Sequence, residues 1–157
     1  MASTQSLLCR MRRALAPDLV SIVRLIHAGS HQPGQHGAHE VLAPAHTDAF
    51  ARMSANPRCW LMVAEVDRAV VGTLQLDILD HLSYGGGLAA QVESVHVDPA
   101  WRGRGCGGAM MAWTIAEARR QGCHRVQLTS NRVRETAHRF YTRLGFVDSH
   151  VGFKLVL

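Results

Sequence analysis

The spacing of apolar and polar residues changes period several times along this chain. Cys59 to Val66 (CWLMVAEV) and Ala69 to Leu79 (AVVGTLQLDIL) are apolar enough for buried strands, and the Asp67-Arg68 link between them implies a hairpin. Leu7 to Leu15 reads as an earlier strand with basic outer positions. Ala16-Pro17-Asp18 then looks like a helix start, because proline suits a first turn and Leu19, Ile22, Val23 and Ile26 recur at helical spacing up to a stop at Gly29. GSHQPGQHG, from Gly29 to Gly37, reads as a loop, and a shorter helix over Ala45 to Ala55 ends at Asn56-Pro57.

Asp80 to Gly87 (DHLSYGGG) is a second glycine-rich loop, and it leads into the strand Val92 to Val97. Asp98-Pro99 stops that strand, since proline lacks an N–H and restricts the residue before it. Ala109 to Gln121 carries Met111, Ile115 and Ala118 on one helical face, with Gly122 as its cap. His124 to Ser130 alternates as a strand, and its helical link to Val92–Val97 implies parallel neighbours. In Arg134 to Leu144, Ala137, Phe140, Tyr141 and Leu144 fall on one helical face before Gly145. Phe146-Val147 and Val151 to Leu157 read as the last strands.

The stretch between the Val92–Val97 strand and its following helix, Arg102-Gly103-Arg104-Gly105-Cys106-Gly107-Gly108, changes this picture from fold to chemistry. Strand, glycine-rich turn and helix aim backbone N–H groups and a helix dipole at an anion. Glycines keep side chains out of its path, and Arg102 and Arg104 add positive charge, which together suit a pyrophosphate. Cys106 offers its backbone there, with a thiol nucleophile as the other reading.

Composition narrows the class. With 157 residues, 47% apolar and 18% charged, the chain reads as one soluble domain, 1–157, without repeat or linker. It has no apolar run long enough for a bilayer and no secretory signal order, so no membrane and a cytoplasmic setting are expected. Four cysteines without CxxC spacing read as free thiols. The formal charge of +5 fits an anionic cofactor. The arginines are scattered and not interleaved with aromatics, so no nucleic-acid partner is expected. The early histidines do not match a zinc motif, and no metal is expected.

The run from Val92 to Phe146 resembles the GCN5-related N-acetyltransferases (GNAT). Arg102, Gly105 and Gly107 match that family's acetyl-CoA turn, and Ala137, Phe140, Tyr141, Gly145 and Phe146 match its later signature. The resemblance implies an α/β (α+β) single domain with a mixed central sheet of about six to seven strands and about four helices, its central strands splayed around acetyl-CoA. It implies that Val95, His96 and Val97 offer main chain to the pantetheine arm, and that the turn, Arg102 and Gly103 to Gly108, grips the pyrophosphate. Asn131 then holds the cofactor, with a turn or cap role as the other reading, and His138 contacts the cofactor edge or faces solvent.

Acetyl transfer needs a neutral amine, a donor for the tetrahedral oxyanion and a proton for the leaving thiolate. Under strict alternation Glu93 shares a face with Val95 and Val97, where an apolar residue is expected, and this makes it the candidate base; a structural carboxylate is the other reading. The resemblance gives Tyr141 the general-acid role and the Val97 N–H the oxyanion. His36 and His39 in the first loop, and Asp80, His81 and Tyr84 in the second, are candidates to reach the acceptor together with Glu93. The expected reaction is acetylation of a primary amine of a small molecule, an aminoglycoside-like antibiotic included. A protein or peptide amine is the alternative, and a cofactor-binding regulatory module without turnover is a third class. The resemblance also implies a homodimer through the apolar Val151–Leu157 strand.

Overall fold

The computed structural model describes residues 9–30 and 42–157. The chain forms two compact units, Met1–Gln127 and Leu128–Leu157. The first holds β1 (Arg10–Arg13), a 3-10 turn at Ala16–Asp18, α1 (Leu19–Gly29) and α2 (Pro44–Ala55). It continues with β2 (Cys59–Val66), β3 (Ala69–Asp80), a one-turn α3 (Ser83–Gly86), β4 (Leu88–Val97), a 3-10 turn at Pro99–Trp101, α4 (Cys106–Arg120) and β5 (Cys123–Leu128), whose last residue opens the second unit. The second unit contains α5 (Glu135–Arg143).

The strands form one mixed sheet in chain order, β1-β2-β3-β4-β5, and β1 to β4 pair antiparallel. The β2–β3 hairpin turns at Asp67 and Arg68, with φ of 47° and 65°. Two successive left-handed residues match the right-handed twist of the flanking strands.

The sheet has two different faces. Residues paired across strands share a face. One face therefore carries Trp60, Met62 and Ala64 opposite Leu76, Leu74 and Gly72, and continues to Val92. Helix α4 lies on it: a Cβ at Gly72 would meet Met110 Sδ at 2.8 Å. Leu74, Leu76, Met110, Met111 and Val92 are almost wholly buried there. Each such side chain stabilises by about 1.5–3 kcal/mol.

The other face carries Cys59, Leu61 and Val63, then Asp77, Gln75 and Thr73, then Gln91, Glu93 and His96. Its inner part is apolar, with Val63 packed among Ala14, Leu19, Ile22, Ile26, Phe50 and Leu61. The rest of it, beyond that cluster, is polar. Asp18 ties the lower end of α1 to β1, since Arg12 donates to both its oxygens at 2.6 and 3.0 Å and the Leu15 N–H donates at 2.7 Å. Arg12 also donates to Glu65 on β2 at 2.8 Å.

Two expectations are corrected. Among the described residues the sheet has five strands rather than six or seven. Phe146-Val147 and Val151 to Leu157 form no strand, and Phe153, Leu155, Val156 and Leu157 are exposed. Apolar spacing marks which residues could pair; only a partner edge satisfies the backbone, and these residues pair with none among those described.

The second correction concerns Glu93. Pairing runs Gln75↔Glu93 and then Thr73↔His96, so Ser94 and Val95 together oppose Leu74. This β-bulge is marked by Ser94 at φ 51°. It breaks the alternation, so Glu93 shares its face with His96 and not with Val95 and Val97.

Candidate active site

The end of β4 runs into a turn whose backbone makes a cradle of the kind that suits an anion. Asp98 accepts from the Ala100 N–H at 2.9 Å and sets the 3-10 turn. Gly103 and Gly105 then take φ of 72° and 88°, which L side chains rarely adopt. A Cβ at Gly103, Gly105 or Gly108 would meet nothing within 4 Å, so backbone shape and an open surface, not packing, explain these glycines. Helix α4 starts at Cys106, and its first N–H groups, Gly107 and Gly108 among them, lack intrahelical acceptors and face outward as donors. Arg102 and Arg104 are exposed beside them. Arg104 lies over the Trp101 ring, 5.3 Å from its centroid. The Cys106 side chain is buried, 1% exposed, and only its backbone is at the cradle. Burial, with the neighbouring Cys106 thiol adding to it, pushes the Cys9 pKa up to about 12.

The hydrogen-bond phase of β4 decides where its N–H groups point. The Asp98 N–H donates to Val71 O at 2.9 Å, which makes Gly72 and Val97 a non-hydrogen-bonded pair. The Val97 N–H therefore points away from β3. Its carbonyl accepts from Arg102 Nε at 3.1 Å. The residue is thus held by its oxygen while its N–H is presented outward. His96 sits over α1: a Cβ at Gly29 would lie 2.0 Å from His96 Nδ1, so only glycine fits at the helix end.

Beyond the bulge the polar face is built from pairs two residues apart within a strand and one link between strands. Gln91 Nε2 donates to Glu93 Oε1 at 2.7 Å. Gln127 Nε2 donates to Gln91 Oε1 at 2.8 Å. Arg125 Nε donates to Gln127 Oε1 at 2.7 Å. On β3, Gln75 Nε2 donates to Asp77 Oδ2 at 2.7 Å. Gln75, Asp77, Gln91, Arg125 and Gln127 escape motif reading. Their signal is a repeated polar–apolar–polar triplet, Gln75-Leu76-Asp77, Gln91-Val92-Glu93 and Arg125-Val126-Gln127, on three strands.

The other acceptor candidates separate. Tyr84, at φ 57° and 71% exposed, lays its ring 4.7 Å from that of His124, and Arg125 lies 4.8 Å from its centroid. His81 meets His124 edge-on at 6.5 Å. Asp80 instead forms an exposed ion pair with Arg58, which holds its carboxyl below the usual range. His36 and His39 lie outside the described residues.

In the second unit Asn131 is engaged locally. Its Oδ1 accepts from the Val133 N–H at 3.1 Å, and its carbonyl is 2.9 Å from His138 Nε2. The Tyr141 ring packs against Phe140 and Phe146 at 5.2 and 5.8 Å. Burial raises its phenol pKa above 10, so the proton is present at neutral pH.

A strand ending in an N–H cradle with two exposed arginines suits a pyrophosphate; comparison with known proteins identifies the family. The acetyltransferase (GNAT) family profile matches residues 22–146. The chain is 30% identical over 149 residues to the aminoalkylphosphonate N-acetyltransferase of Salmonella typhimurium, covering 95% of this chain and 92% of that one. It is 36% identical over 77 residues to the glucosamine 6-phosphate N-acetyltransferase of Trypanosoma brucei brucei, covering 49% and 50%. A crystal structure described as a transcriptional regulator from Bacillus halodurans C-125 superposes with a TM-score of 0.90 at 32% identity, covering 95% of this chain and 99% of that one. Enzymes of the GNAT fold use acetyl-CoA. Cradle, sheet order and matched span lead to one assignment: this chain is an N-acetyltransferase of the GNAT family.

Proposed function

We propose that the enzyme transfers the acetyl group of acetyl-CoA to the primary amine of a small molecule that also carries a phosphonate or phosphate. The observation that carries this reading is Glu93, a carboxylate held by Gln91 on the polar face of the strand whose far end forms the cradle. The anionic group is supported by the relative that spans nearly the whole chain, whose name states an aminoalkylphosphonate, and by the formal charge of +5.

The chemistry follows from the groups available. The turn at Arg102–Gly108 grips the pyrophosphate, and the main chain of Val95, His96 and Val97 receives the pantetheine arm. Glu93 takes the ammonium proton, directly or through water, and the neutral amine attacks the thioester carbon. The outward Val97 N–H stabilises the oxyanion. Collapse of the tetrahedral species breaks the C–S bond, Tyr141 gives its proton to the departing thiolate, and the second proton, shed by the nitrogen as it becomes an amide, passes through water to restore the phenol. Asn131 and His138 hold the cofactor.

A second acceptor class, an aminoglycoside-like polyamine, is favoured by the two carboxylates, Asp77 and Glu93, on one polar face. The test is thiol release from acetyl-CoA with aminoethylphosphonate, glucosamine 6-phosphate, an aminoglycoside, a polyamine and a peptide with a free N-terminus. Fastest turnover with the anionic amines supports the leading reading. Fastest turnover with the aminoglycoside shifts the assignment to the second. Turnover of the peptide alone overturns both.

A further inference from the structure

Arg125, Gln127, Gln91 and Glu93 stand in one line of hydrogen bonds of 2.7, 2.8 and 2.7 Å. We infer that Gln91, Gln127 and Arg125 are positioning residues that orient the Glu93 carboxylate toward the acceptor amine; this rests on the reading of Glu93 as the group that takes the ammonium proton.

The ends of the line fix its direction. A guanidinium can only donate and a carboxylate can only accept. Arg125 at one end therefore demands the oxygen of Gln127, whose NH2 turns to Gln91. Glu93 at the other end demands the NH2 of Gln91, whose oxygen turns to Gln127. Both amides are assigned by the same two charges, and flipping either breaks two bonds. Chains of this kind polarise one another, and these side chains are half-buried, where a polar link counts for more than in water.

The surroundings commit the line to Glu93 alone. Gln75 is the direct cross-strand partner of Glu93, yet its amide is given to Asp77. Arg125 is itself held, with His124 Nε2 3.0 Å from its NH1 and the Tyr84 ring 4.8 Å away. Glu93 Oε1 is occupied by Gln91, and no hydrogen bond to Oε2 is made by the described residues, which leaves that oxygen available to an acceptor ammonium while Oε1 fixes the carboxylate. The line also links the turn that carries Tyr84 to the carboxylate.

The experiment compares Glu93→Gln, Gln127→Met, Gln127→Glu and Arg125→Lys in the full chain, with acetyl-CoA and aminoethylphosphonate. Gln127→Glu is the discriminating variant: glutamate still accepts from Arg125, so the fold is kept, but it cannot donate to Gln91. The expected result is a kcat about tenfold lower in both Gln127 variants, with the KM for acetyl-CoA unchanged, and a smaller fall in Arg125→Lys, which keeps a donor to Gln127. A Gln127→Glu enzyme with wild-type kcat beside an inactive Glu93→Gln overturns the relay while the role of Glu93 stands. Full turnover in Glu93→Gln overturns that role instead. A readout that needs no acceptor accompanies these: the side-chain amide signals of Gln91 in the nuclear magnetic resonance spectrum shift in Gln127→Met if the line exists, and stay in place if it does not.

Discussion

The C-terminal end of β4, with the turn after it, and the middle of β4 are made of different material. Its C-terminal end, from Val97 through Gly108, works through backbone: N–H groups at a helix start, a carbonyl held by Arg102, glycines at positive φ. Its middle, around Gln91 and Glu93, works through side chains supplied by three strands. Backbone recognition suits a constant ligand, as the proposed grip on acetyl-CoA requires. Side chains set in a sheet face can be exchanged without disturbing that cradle, which is how one fold serves many acceptors.

The largest expected effect tests this division directly. Glu93→Gln should lower kcat by about 10²–10⁴ and leave the affinity for acetyl-CoA intact, as measured by steady-state kinetics and calorimetric titration. A parallel loss of cofactor affinity would erase the division. Tyr141→Phe should cost about 10²-fold or more in kcat through loss of the acid. The phenol pKa is raised, so the acid form persists as pH rises through 10; the alkaline fall in kcat belonging to this group should lie above that value in a pH–rate profile. A fall centred well below pH 10 that disappears in Tyr141→Phe would contradict the burial that raises the group.

The cradle should respond in the opposite sense. Gly105→Ala puts a side chain on a residue at φ 88°, at about 1–2 kcal/mol, and with Arg102→Ala should weaken acetyl-CoA binding at least tenfold while saturated kcat changes little. Unchanged affinity would remove the turn from the pyrophosphate site.

Asp18→Asn is the smallest change and a control that touches neither region. Arg12 holds the Asp18 carboxyl below its usual range, so the stabilisation is complete above the unfolded value of about 4 and is lost as pH falls through the lower folded value. The variant should lose about 1–2 kcal/mol at pH 7 and converge with the parent in acid, measured by urea unfolding, with kcat unaffected.

What can be read from the chain follows the same division. The cradle is contiguous, so Asp98-Pro99 and Arg102 to Gly108 announce it in order. Strand positions and the Asp67-Arg68 hairpin are legible because period and turn chemistry agree. The polar face around Glu93 is not, because it exists only once β3, β4 and β5 are in register. Glu93 stands out as a carboxylate in an apolar strand, but strict alternation gives it the wrong neighbours, since nothing local in Glu93-Ser94-Val95 signals a bulge. The unformed strands near Val151–Leu157 fail for a related reason: apolar spacing carries no information about whether an edge is waiting.

The bulge at Ser94 has one more consequence. Period-two pairing behaves like a reading frame, and here two residues fill one place in it: Glu93 faces Gln75 before the bulge, and His96 faces Thr73 after it. Removing Ser94 would leave every flanking pair in frame and only straighten the strand. The bend of β4 is therefore a separable character of this enzyme, open to deletion without rewriting a single cross-strand partnership.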